Sequence, residues 1–588
     1  MVATLPVMEV STPTFRWNHL LLKRPNKKQD RFRNHINEKF GLHLADYHDL
    51  YRWSVEHYPL FWEEFLSFSE IIISLGYTQV VEDVPMEKIP KWFIGCTLSF
   101  TENLLRGEAD SVALYATDER LLSIKKVTFG ELRLTVARYA TALRKLGVGP
   151  GDRVCGYVAN TEHTVIAFLA TASIGAVWSA TSPDLGYRAV INRFQQIQPK
   201  VIFSVDRQIY NKKIHDKIPI LKSILEQLTS VEQVIIIPFD GNRVNISLIP
   251  NALYVDDWLT GVEESPKLQY EKVSFSAPLC ILFTSGTTGR PKCIVHSVGG
   301  TLIQHRKEHE LLGDLNEDDT LFYYTTTGWM MWNWLISGLA ANASLVLYEG
   351  SPLLRDSPYV LLDLAARVGV TVFGTSAKYL SSLEDRLTAG SPDAKGELVC
   401  CSPFPSMPVF FWGDESGSLY HQTYFERFPG VWYHGDFCCI NTNTGGIIML
   451  GRSDATLNPN GVRFGSTEIY NIVDTISSIQ DSVCVSYVSK KTNEEKVVLL
   501  LKMKPSCTLT DDLRSTIRTA IRNSLSPRHV PALITQVDDI PYTMNAKKVE
   551  VAVRKVINGD NQVDTSTLAN PECLQRLKKL CPTLAALD

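Results

Sequence analysis

The chain has 588 residues, which is too long for a single hydrophobic core and predicts several domains. Hydrophobic residues make up 45% of it and charged residues 21%, which is typical of globular proteins and excludes a disordered chain. The formal net charge of -4 gives no electrostatic reason to expect nucleic acid as a partner.

Cysteine usage and the amino terminus predict a cytosolic location. The 12 cysteines include no C-x-x-C pair, and the doublets at 400–401 and 438–439 lack the spacing of a zinc site. We therefore expect reduced thiols. The first residues, MVATLPVMEVSTPTFRW, lack the charged and apolar regions of a signal peptide. The most apolar stretch, Val165 to Ala180, is shorter than the ~20 residues of a membrane span and predicts a buried helix.

Residues 47–73 are rich in aromatic side chains at roughly helical intervals. This pattern favours a helical cap that packs its aromatic face on a larger domain, rather than a binding platform.

From about residue 127 short β-rich runs alternate with helix-like segments such as YRAVINRFQQI. Each run ends near Gly, Asp or Ser, and the alternation predicts an α/β fold of βα units with largely parallel sheets. The runs are GDRVCGYVAN, PKVIFSVD, EQVIIIPFD, ASLVLYEG and GVTVFGTS. After GRSD at 451–454 shorter elements predict a small α+β domain.

The strongest chemical signal is ILFTSGTTGRPKCIVHS, from Ile281 to Ser297. A strand-like run opens into a loop of Thr, Ser and Gly and is followed by Lys292. Such a loop offers backbone N–H groups and hydroxyls to a polyphosphate, and the lysine adds a positive charge. It is not a Walker A loop, because Gly286 and Gly289 are followed by RPKC instead of the required G-K-[ST] ending.

The string TSGTTGRPK resembles the signature loop of the acyl-adenylate-forming enzymes, which include acyl-CoA synthetases, luciferases and peptide-synthetase adenylation domains. The resemblance implies that Lys292 is catalytic and that ATP is bound by Thr284, Ser285, Gly286, Thr287, Thr288 and Gly289.

Three later motifs follow in the order of the family. YHGDF is similar to the ribose-binding motif and implies that Asp436 receives the ribose hydroxyls. The hinge between the large and small domains is resembled by GRSDATLNPNGVRFGSTEIY. The catalytic-lysine motif is resembled by IPYTMNAKKVEV, which places that lysine at Lys547 and not at Lys548. For the hinge motif the resemblance implies ribose and phosphate contacts for Arg452, a hinge at Asp454, space for a ligand at Gly461 and a phosphate contact for Arg463.

Finer features resemble one branch of the family. WSVEHYPLFWEEF and TTTGWMMWNWLISGL are similar to the acetyl- and acetoacetyl-CoA synthetases, and RHVPALI with the hinge motif is most similar to the acetoacetyl-CoA synthetases. The resemblance implies an amino-terminal cap over residues 1–115, a large multi-sheet adenylation domain over 116–452 and a small mobile α+β lid domain over 453–588. Trp329, Trp332 and Trp334 are candidates for the wall of a small acyl pocket, with core packing as the alternative for each.

The implied reaction activates acetoacetate with ATP and Mg²⁺, releases pyrophosphate, and transfers the acyl group to CoA with release of AMP, in ketone-body use for lipid synthesis. The small domain would rotate about Asp454 between the two steps and withdraw Lys547. Small-molecule substrates are the expected partners, with no nucleic acid and no membrane span.

One stretch departs from the family pattern. Only Asp393, Ala394 and Lys395 separate the end of AGSP from GELV, where the family has further βα units that bind adenine and carry a Thr-Glu or Thr-Asp pair. We expect that a segment on the order of 60–90 residues is absent near residues 386–396, at roughly 30 residues or more per βαβ unit. Loss of this segment would remove the adenine platform and expose a sheet edge. We therefore expect impaired activity. Two alternatives stay open: a synthetase for acetate or another short acid, and an inactive isoform that acts only by binding.

Overall fold

The computed structural model describes residues 27–283, 291–354, 359–376, 379, 395–400, 403–440, 447–452, 457, 459, 464, 466–492, 494–542, 550–560, 570 and 572–587. In these ranges no helix is long and apolar enough to cross a membrane. Every cysteine whose side chain the structure describes is a free thiol.

The helices and strands are numbered in chain order. The helices are α1 (Lys28–Phe40), α2 (Tyr47–Glu56), α3 (Tyr58–Phe68), α4 (Phe100–Leu104), α5 (Phe129–Lys145), α6 (Glu162–Ser173), α7 (Tyr187–Ile197), α8 (Ile218–Leu225), α9 (Val255–Trp258), α10 (Val298–Lys307), α11 (Met330–Ser337), α12 (Val360–Val368), α13 (Ser418–Tyr424), α14 (Ser466–Val473), α15 (Asp511–Ser524), α16 (Glu550–Ile557), α17 (Glu572–Leu577) and α18 (Cys581–Ala585). The strands are β1 (Ile73–Leu75), β2 (Gln79–Val81), β3 (Trp92–Ile94), β4 (Thr97–Leu98), β5 (Val112–Asp118), β6 (Lys125–Thr128), β7 (Arg153–Tyr157), β8 (Val177–Thr181), β9 (Val201–Val205), β10 (Arg207–Tyr210), β11 (Lys213–Asp216), β12 (Gln233–Ile237), β13 (Ala252–Tyr254), β14 (Val273–Ser274), β15 (Pro278–Phe283), β16 (Cys293–Ser297), β17 (Thr320–Tyr323), β18 (Ser344–Glu349), β19 (Val372–Gly374), β20 (Lys395–Cys400), β21 (Phe410–Phe411), β22 (Trp432–Ile440), β23 (Ile447–Arg452), β24 (Ile479–Val488), β25 (Glu495–Met503) and β26 (Leu533–Val537).

The amino-terminal helices pack their aromatic side chains inward. α2 begins where the Asp46 carboxylate accepts a hydrogen bond from the backbone N–H of Asp49, a common way to satisfy a helix N-terminus. In α3 Phe61 and Phe65 are buried, and both rings meet the Phe32 ring of α1 edge to face. The structure confirms helices with buried aromatic residues from Tyr47 to Phe68, whereas Ile73 begins a strand and Tyr47 and Tyr51 are exposed.

The apolar stretch from Val165 to Ala180 is helical only in its first part. α6 ends at Ser173, and Gly175 then adopts a φ of 72°, a left-handed conformation that suits glycine and turns the chain. The chain continues as β8, in which every residue is buried. The prediction of one buried helix is therefore wrong from Val177 to Ala180, because both elements are uniformly apolar and the glycine separates them.

The largest sheet has the strand order β13-β12-β9-β7-β8-β15-β16-β21. The strands are parallel from β13 to β15, whereas β16 and β21 are antiparallel to their neighbours. Side chains alternate between two cores: Val154 and Trp178 pack with α5 and α6, and Cys155 and Val177 pack with α7 and α8. Helices cover both faces, as the alternating βα pattern predicts.

A second sheet has the order β19-β17-β18-β5-β6, parallel from β19 to β5. Within the part of the chain that the structure describes, β19 pairs with β17 alone, so the sheet ends there. Its residues are only partly buried, unlike the buried middle of β18. Most of the junction near residues 386–396, where a segment is expected to be absent, lies outside the described residues, and the chain is described again from Lys395, at the start of β20.

The carboxyl-terminal region is a small α+β unit built on β24, β25 and β26. One face of this sheet packs against α14 and α15, with Ile469 and Ile517 in contact with the buried side of β25. The other face packs against α16 and α17, with Val553 and Leu574 in its core. We refer to these as the α14–α15 layer and the α16–α17 layer.

The close approach of α10 to the chain after β20 can be tested with one methyl group. A Cβ on Gly300 would lie 2.1 Å from the carbonyl oxygen of Pro405, and that backbone cannot move cheaply. Gly300→Ala should lower the free energy of unfolding by about 1–3 kcal/mol, as overpacking usually does. Gly149→Ala is the matched control, since its Cβ would meet no atom within 4 Å. Equal urea midpoints for both variants would contradict this packing.

Candidate active site

The carboxyl ends of β8 and β15 lie at one edge of the largest sheet. The two strands are parallel neighbours, with Cys280 paired to Trp178. Parallel strands deliver their following loops to the same edge of a sheet, which is where open α/β sheets bind ligands. The segment from Ser182 to Gly186 and the end of β15 at Phe283 therefore lie at the same edge. Phe283 pairs with Cys293, so the connection 284–292 joins two adjacent antiparallel strands.

Lys292 lies at the end of that connection, immediately before β16. Its side chain is partly buried, and Nζ donates a hydrogen bond to Thr423 Oγ1 at 2.8 Å. The Thr423 hydroxyl in turn donates to the carbonyl of Leu419 at 2.6 Å, within α13. Thr423 thus fixes the direction of the lysine at the sheet edge. Sequence reasoning missed this residue, because no local signal marks a contact between positions so far apart in the chain.

Asp436 and Arg452 are brought together by strand pairing. The two residues are direct partners in the antiparallel ladder of β22 and β23. Antiparallel partners have Cα atoms about 4.5–5.5 Å apart. Two residues that the sequence assigned to separate motifs are therefore neighbours in the fold.

Several predicted site residues lie outside the described residues. They are Thr284, Ser285, Gly286, Thr287, Thr288, Gly289, Asp454, Gly461, Arg463 and Lys547.

The three candidate tryptophans of the acyl pocket occupy different environments. Trp332 is fully buried, and its Nε1 donates to Asn160 Oδ1 at 2.9 Å. Trp334 donates from Nε1 to Glu308 Oε2 at 2.8 Å, and its ring centroid lies 4.1 Å from that of His309. Of the three tryptophans only Trp329 is solvent-exposed, with 39% of its surface accessible.

Trp329 lies next to the sheet edge described above. A Cβ on the preceding Gly328 would lie 3.3 Å from both the Ala180 carbonyl oxygen and the Thr181 Cα, at the carboxyl end of β8. The close approach of these two backbones keeps Trp329 beside the loop that follows β8. Of the three tryptophans, Trp329 has the position and the exposure to contact a ligand there.

The partly buried carboxylate of Glu349 lies at the end of β18 and was not predicted from the sequence. It accepts hydrogen bonds at 2.8 Å from the backbone N–H of Asn160 and from Gln208 Nε2. Burial raises the pKa of Glu349 to about 7, against the lowering effect of these two hydrogen bonds. Asn160 also binds Trp332, so the carboxylate, the amide and the indole form one connected network.

The raised pKa of Glu349 predicts a pH-dependent stability. Between the ordinary glutamate pKa of about 4.3 and about 7, the folded state holds a proton that the unfolded state has lost. Raising the pH through this window removes that proton from the folded state, and the free energy of unfolding falls. Glu349→Gln cannot titrate, so its stability relative to the unmodified chain should rise from about pH 5 to about pH 8 in urea unfolding. A difference that is independent of pH would contradict the assignment.

Comparison with known proteins places these features in a family. Residues 101–435 match the family model described as AMP-binding enzyme, and residues 47–104 match the acetyl-coenzyme A synthetase N-terminus. The acetoacetyl-CoA synthetase of Danio rerio is 46% identical to this chain over 94% of it and 95% of the relative. That of Rhizobium meliloti is 38% identical over 91% and 94%. The structure of acetoacetyl-CoA synthetase from Streptomyces lividans matches with a TM-score of 0.68 and 34% identity, covering 95% of this chain and 98% of that one.

The alignment with the Danio rerio relative has more positions than the number of residues that this chain contributes to it. It spans 644 positions, whereas 94% of 588 residues is about 553, so about 91 aligned positions have no residue here. This chain belongs to the AMP-binding, acyl-adenylate-forming enzyme family, within its acetoacetyl-CoA synthetases.

Proposed function

We propose that this chain joins acetoacetate to the thiol of CoA while converting ATP to AMP and pyrophosphate. The names of relatives that align over more than nine-tenths of the chain support this substrate. The observation that carries the proposal is the meeting at one sheet edge of Lys292, held by Thr423, with the exposed Trp329. A cation and an open aromatic surface at the same edge suit a polyphosphate and a small organic acid.

The reaction has two steps at one site. A carboxylate oxygen of acetoacetate attacks the α-phosphorus of ATP, and the bond to the departing pyrophosphate breaks. The CoA sulfur then attacks the acyl carbon, its proton passes to solvent, and AMP leaves with the former carboxylate oxygen. Because two anions must meet in the first step, Lys292 and Lys547 would offset their repulsion.

Other residues take roles that the family motifs suggest. The loop from Thr284 to Gly289 would bind the phosphates of ATP, and Asp436 and Arg452 would bind its ribose. Arg463 would make a further phosphate contact. Gly461 leaves room for the ligand, and Asp454 is the hinge between a large domain ending at residue 452 and the small domain. Trp329 is the strongest candidate for the acyl pocket, since Trp332 and Trp334 are engaged elsewhere.

Magnesium enters this proposal only as part of the substrate. The described residues contain no group of three His, Cys, Asp or Glu side chains that could hold a metal ion. Mg²⁺ commonly binds through substrate phosphates and only one or two carboxylates. MgATP is therefore the proposed substrate, with the ion held mainly by its phosphates.

The shortfall of about 91 aligned positions supports the absence of an internal segment. We place it at the junction near residues 386–396, where the adenine-binding segment of the family has no counterpart. Without a stacking platform the adenine ring contributes less binding energy, so we propose weakened ATP binding and a slow reaction. Reduced thiols support a cytosolic site of action, in ketone-body use for lipid synthesis.

Substrate choice is tested by measuring thioester formation with acetoacetate and with acetate. The proposal expects a higher kcat/KM for acetoacetate. A preference for acetate would favour the alternative of a short-chain synthetase. No turnover of either acid, together with no calorimetric heat from ATP or CoA, would contradict a ligase function.

The catalytic-lysine assignment is tested by two neighbouring substitutions. Lys547→Ala should slow acyl-adenylate formation by about 100-fold or more, the usual effect of losing a group that stabilises transition-state charge. Lys548→Ala, the matched control, should change the rate by less than about threefold, in the range of an uninvolved surface residue. The reverse result would move the assignment to Lys548.

The missing adenine platform is tested by restoring it. Inserting the corresponding segment of the Danio rerio relative between Pro392 and Gly396 should lower the KM for ATP about tenfold, since stacking of a base on a protein side chain is worth about 1–3 kcal/mol. A Gly/Ser insertion of equal length is the control. An unchanged KM for ATP would place the shortfall elsewhere.

A further inference from the structure

Two adjacent residues of α13, Thr423 and Tyr424, contact two different parts of the site. The Thr423 hydroxyl accepts a hydrogen bond from Lys292 Nζ at 2.8 Å and donates one to the Leu419 carbonyl at 2.6 Å. A hydroxyl has one proton to donate, and here that proton is bonded to the backbone of α13. The hydroxyl oxygen is therefore fixed in direction, and its bond to Lys292 holds the lysine relative to the helix.

Tyr424 joins the same helix to β22. Its ring stacks on the ring of Trp432, with the centroids 3.7 Å apart and an interplanar angle of 17°. Trp432 is buried and is the first residue of β22, and Tyr420 and Phe425 meet its ring edge to face. Asp436 follows four residues later on this strand, about 13 Å along it. The position of α13 therefore bears on the strand that carries Asp436.

α13 also packs on the sheet that begins beside Lys292. The Phe411 ring of β21 lies 5.7 Å from the Tyr424 ring, measured between centroids. Phe411 pairs with Ile294 of β16, two residues after Lys292. In the described part of the chain β16 and β22 belong to different sheets. No shared ladder of hydrogen bonds sets their spacing there, so the spacing depends on the helix that packs on both.

This spacing bears on nucleotide binding because ATP must be held at its phosphates and at its ribose together. Under the proposed function Lys292 meets the phosphates and Asp436 meets the ribose. A protein that already holds such groups at the required spacing loses less conformational freedom on binding, so its affinity is higher. In a chain proposed to lack the adenine-stacking segment, fewer contacts remain and each of them matters more.

We propose that Thr423 and Tyr424 are positioning residues that set the spacing between the phosphate-binding lysine and the ribose-binding strand. Each acts through a neighbour, Thr423 through Lys292 and Tyr424 through Trp432. The inference rests on the proposed function, because the roles of Lys292 and Asp436 come from it. The contacts of α13 do not depend on that function, so they can be tested apart from it.

The role of Thr423 is tested by removing its hydroxyl at constant shape. Thr423→Val should raise the KM for ATP in acetoacetate-dependent pyrophosphate exchange about tenfold, the usual effect of losing a hydrogen bond to a charged group. Thr423→Ser keeps the hydroxyl and should stay within about twofold, and the KM for acetoacetate should stay within about twofold in both variants. Thr135→Val is the matched control, because the Thr135 hydroxyl also donates to a carbonyl four residues earlier, on α5. An unchanged KM for ATP in Thr423→Val, or no rescue by Thr423→Ser, would overturn the role of Thr423.

The coupling through α13 is tested with a double-mutant cycle. Tyr424→Leu should also raise the KM for ATP. Combined with Thr423→Val, it should cost less than the product of the two single effects, because both substitutions release the same helix. Phe428→Leu is the matched control, since its ring contacts Tyr433 of β22 from outside α13 and its effect should multiply with that of Thr423→Val. Single effects of Thr423→Val and Tyr424→Leu that simply multiply would overturn the coupling.

Amine labelling of Lys292 tests the same contacts without catalysis. Lys292 should react with the N-hydroxysuccinimide ester of acetic acid about fivefold faster in Thr423→Val and in Tyr424→Leu, as expected for the loss of one hydrogen bond. Lys200, which donates to the Gly147 carbonyl, is the internal reference and should react equally in all variants. If the unmodified chain gives no acid-dependent pyrophosphate exchange, the proposed function fails while the labelling still decides whether α13 holds the lysine. Equal labelling of Lys292 in all three chains would overturn the proposal.

Discussion

The site depends on the parallel pairing of β8 with β15. Because parallel strands end at the same edge, this one pairing sets the loop after β8 at the same edge as Phe283, at the end of β15, and Lys292, at the start of the adjacent β16. Trp329 reaches the same edge through the contact of Gly328 with the end of β8. Buried Val, Ile and Trp side chains pack both faces of these strands and so hold the edge in place.

The small carboxyl-terminal unit contacts the same edge of the largest sheet. The loop from Asp184 to Gly186 contacts that unit through a backbone hydrogen bond and through Arg528, while the body of the sheet stays packed behind it. Apolar packing of Ala189 with Phe464 and Ile469 adds to these polar contacts, so the unit is held by both polar and apolar interactions.

Much of this architecture could be predicted from the sequence. The apolar runs named in the sequence analysis coincide with β7, β9, β12, β18 and β19, and YRAVINRFQQI coincides with α7. The stretch from Val165 to Ala180 was misassigned because helix and buried strand are equally apolar. Motifs indicated Lys292 and Asp436, but the partners of these residues depend on tertiary contacts. Thr423 meets Lys292 across 131 positions, and the hydrogen bonds of Glu349 come from Asn160 and Gln208 in two other parts of the chain. Neither contact is indicated by a local pattern in the sequence.

The central claim is that the acid is activated as an acyl-adenylate. The most direct test is turnover of acetoacetate labelled with ¹⁸O in its carboxylate, in the presence of ATP and CoA. The account predicts that ¹⁸O appears in the phosphate of AMP, since the attacking carboxylate oxygen stays with AMP when the thiol displaces it. Thioester formed with unlabelled AMP, or with ¹⁸O in inorganic phosphate, would contradict it.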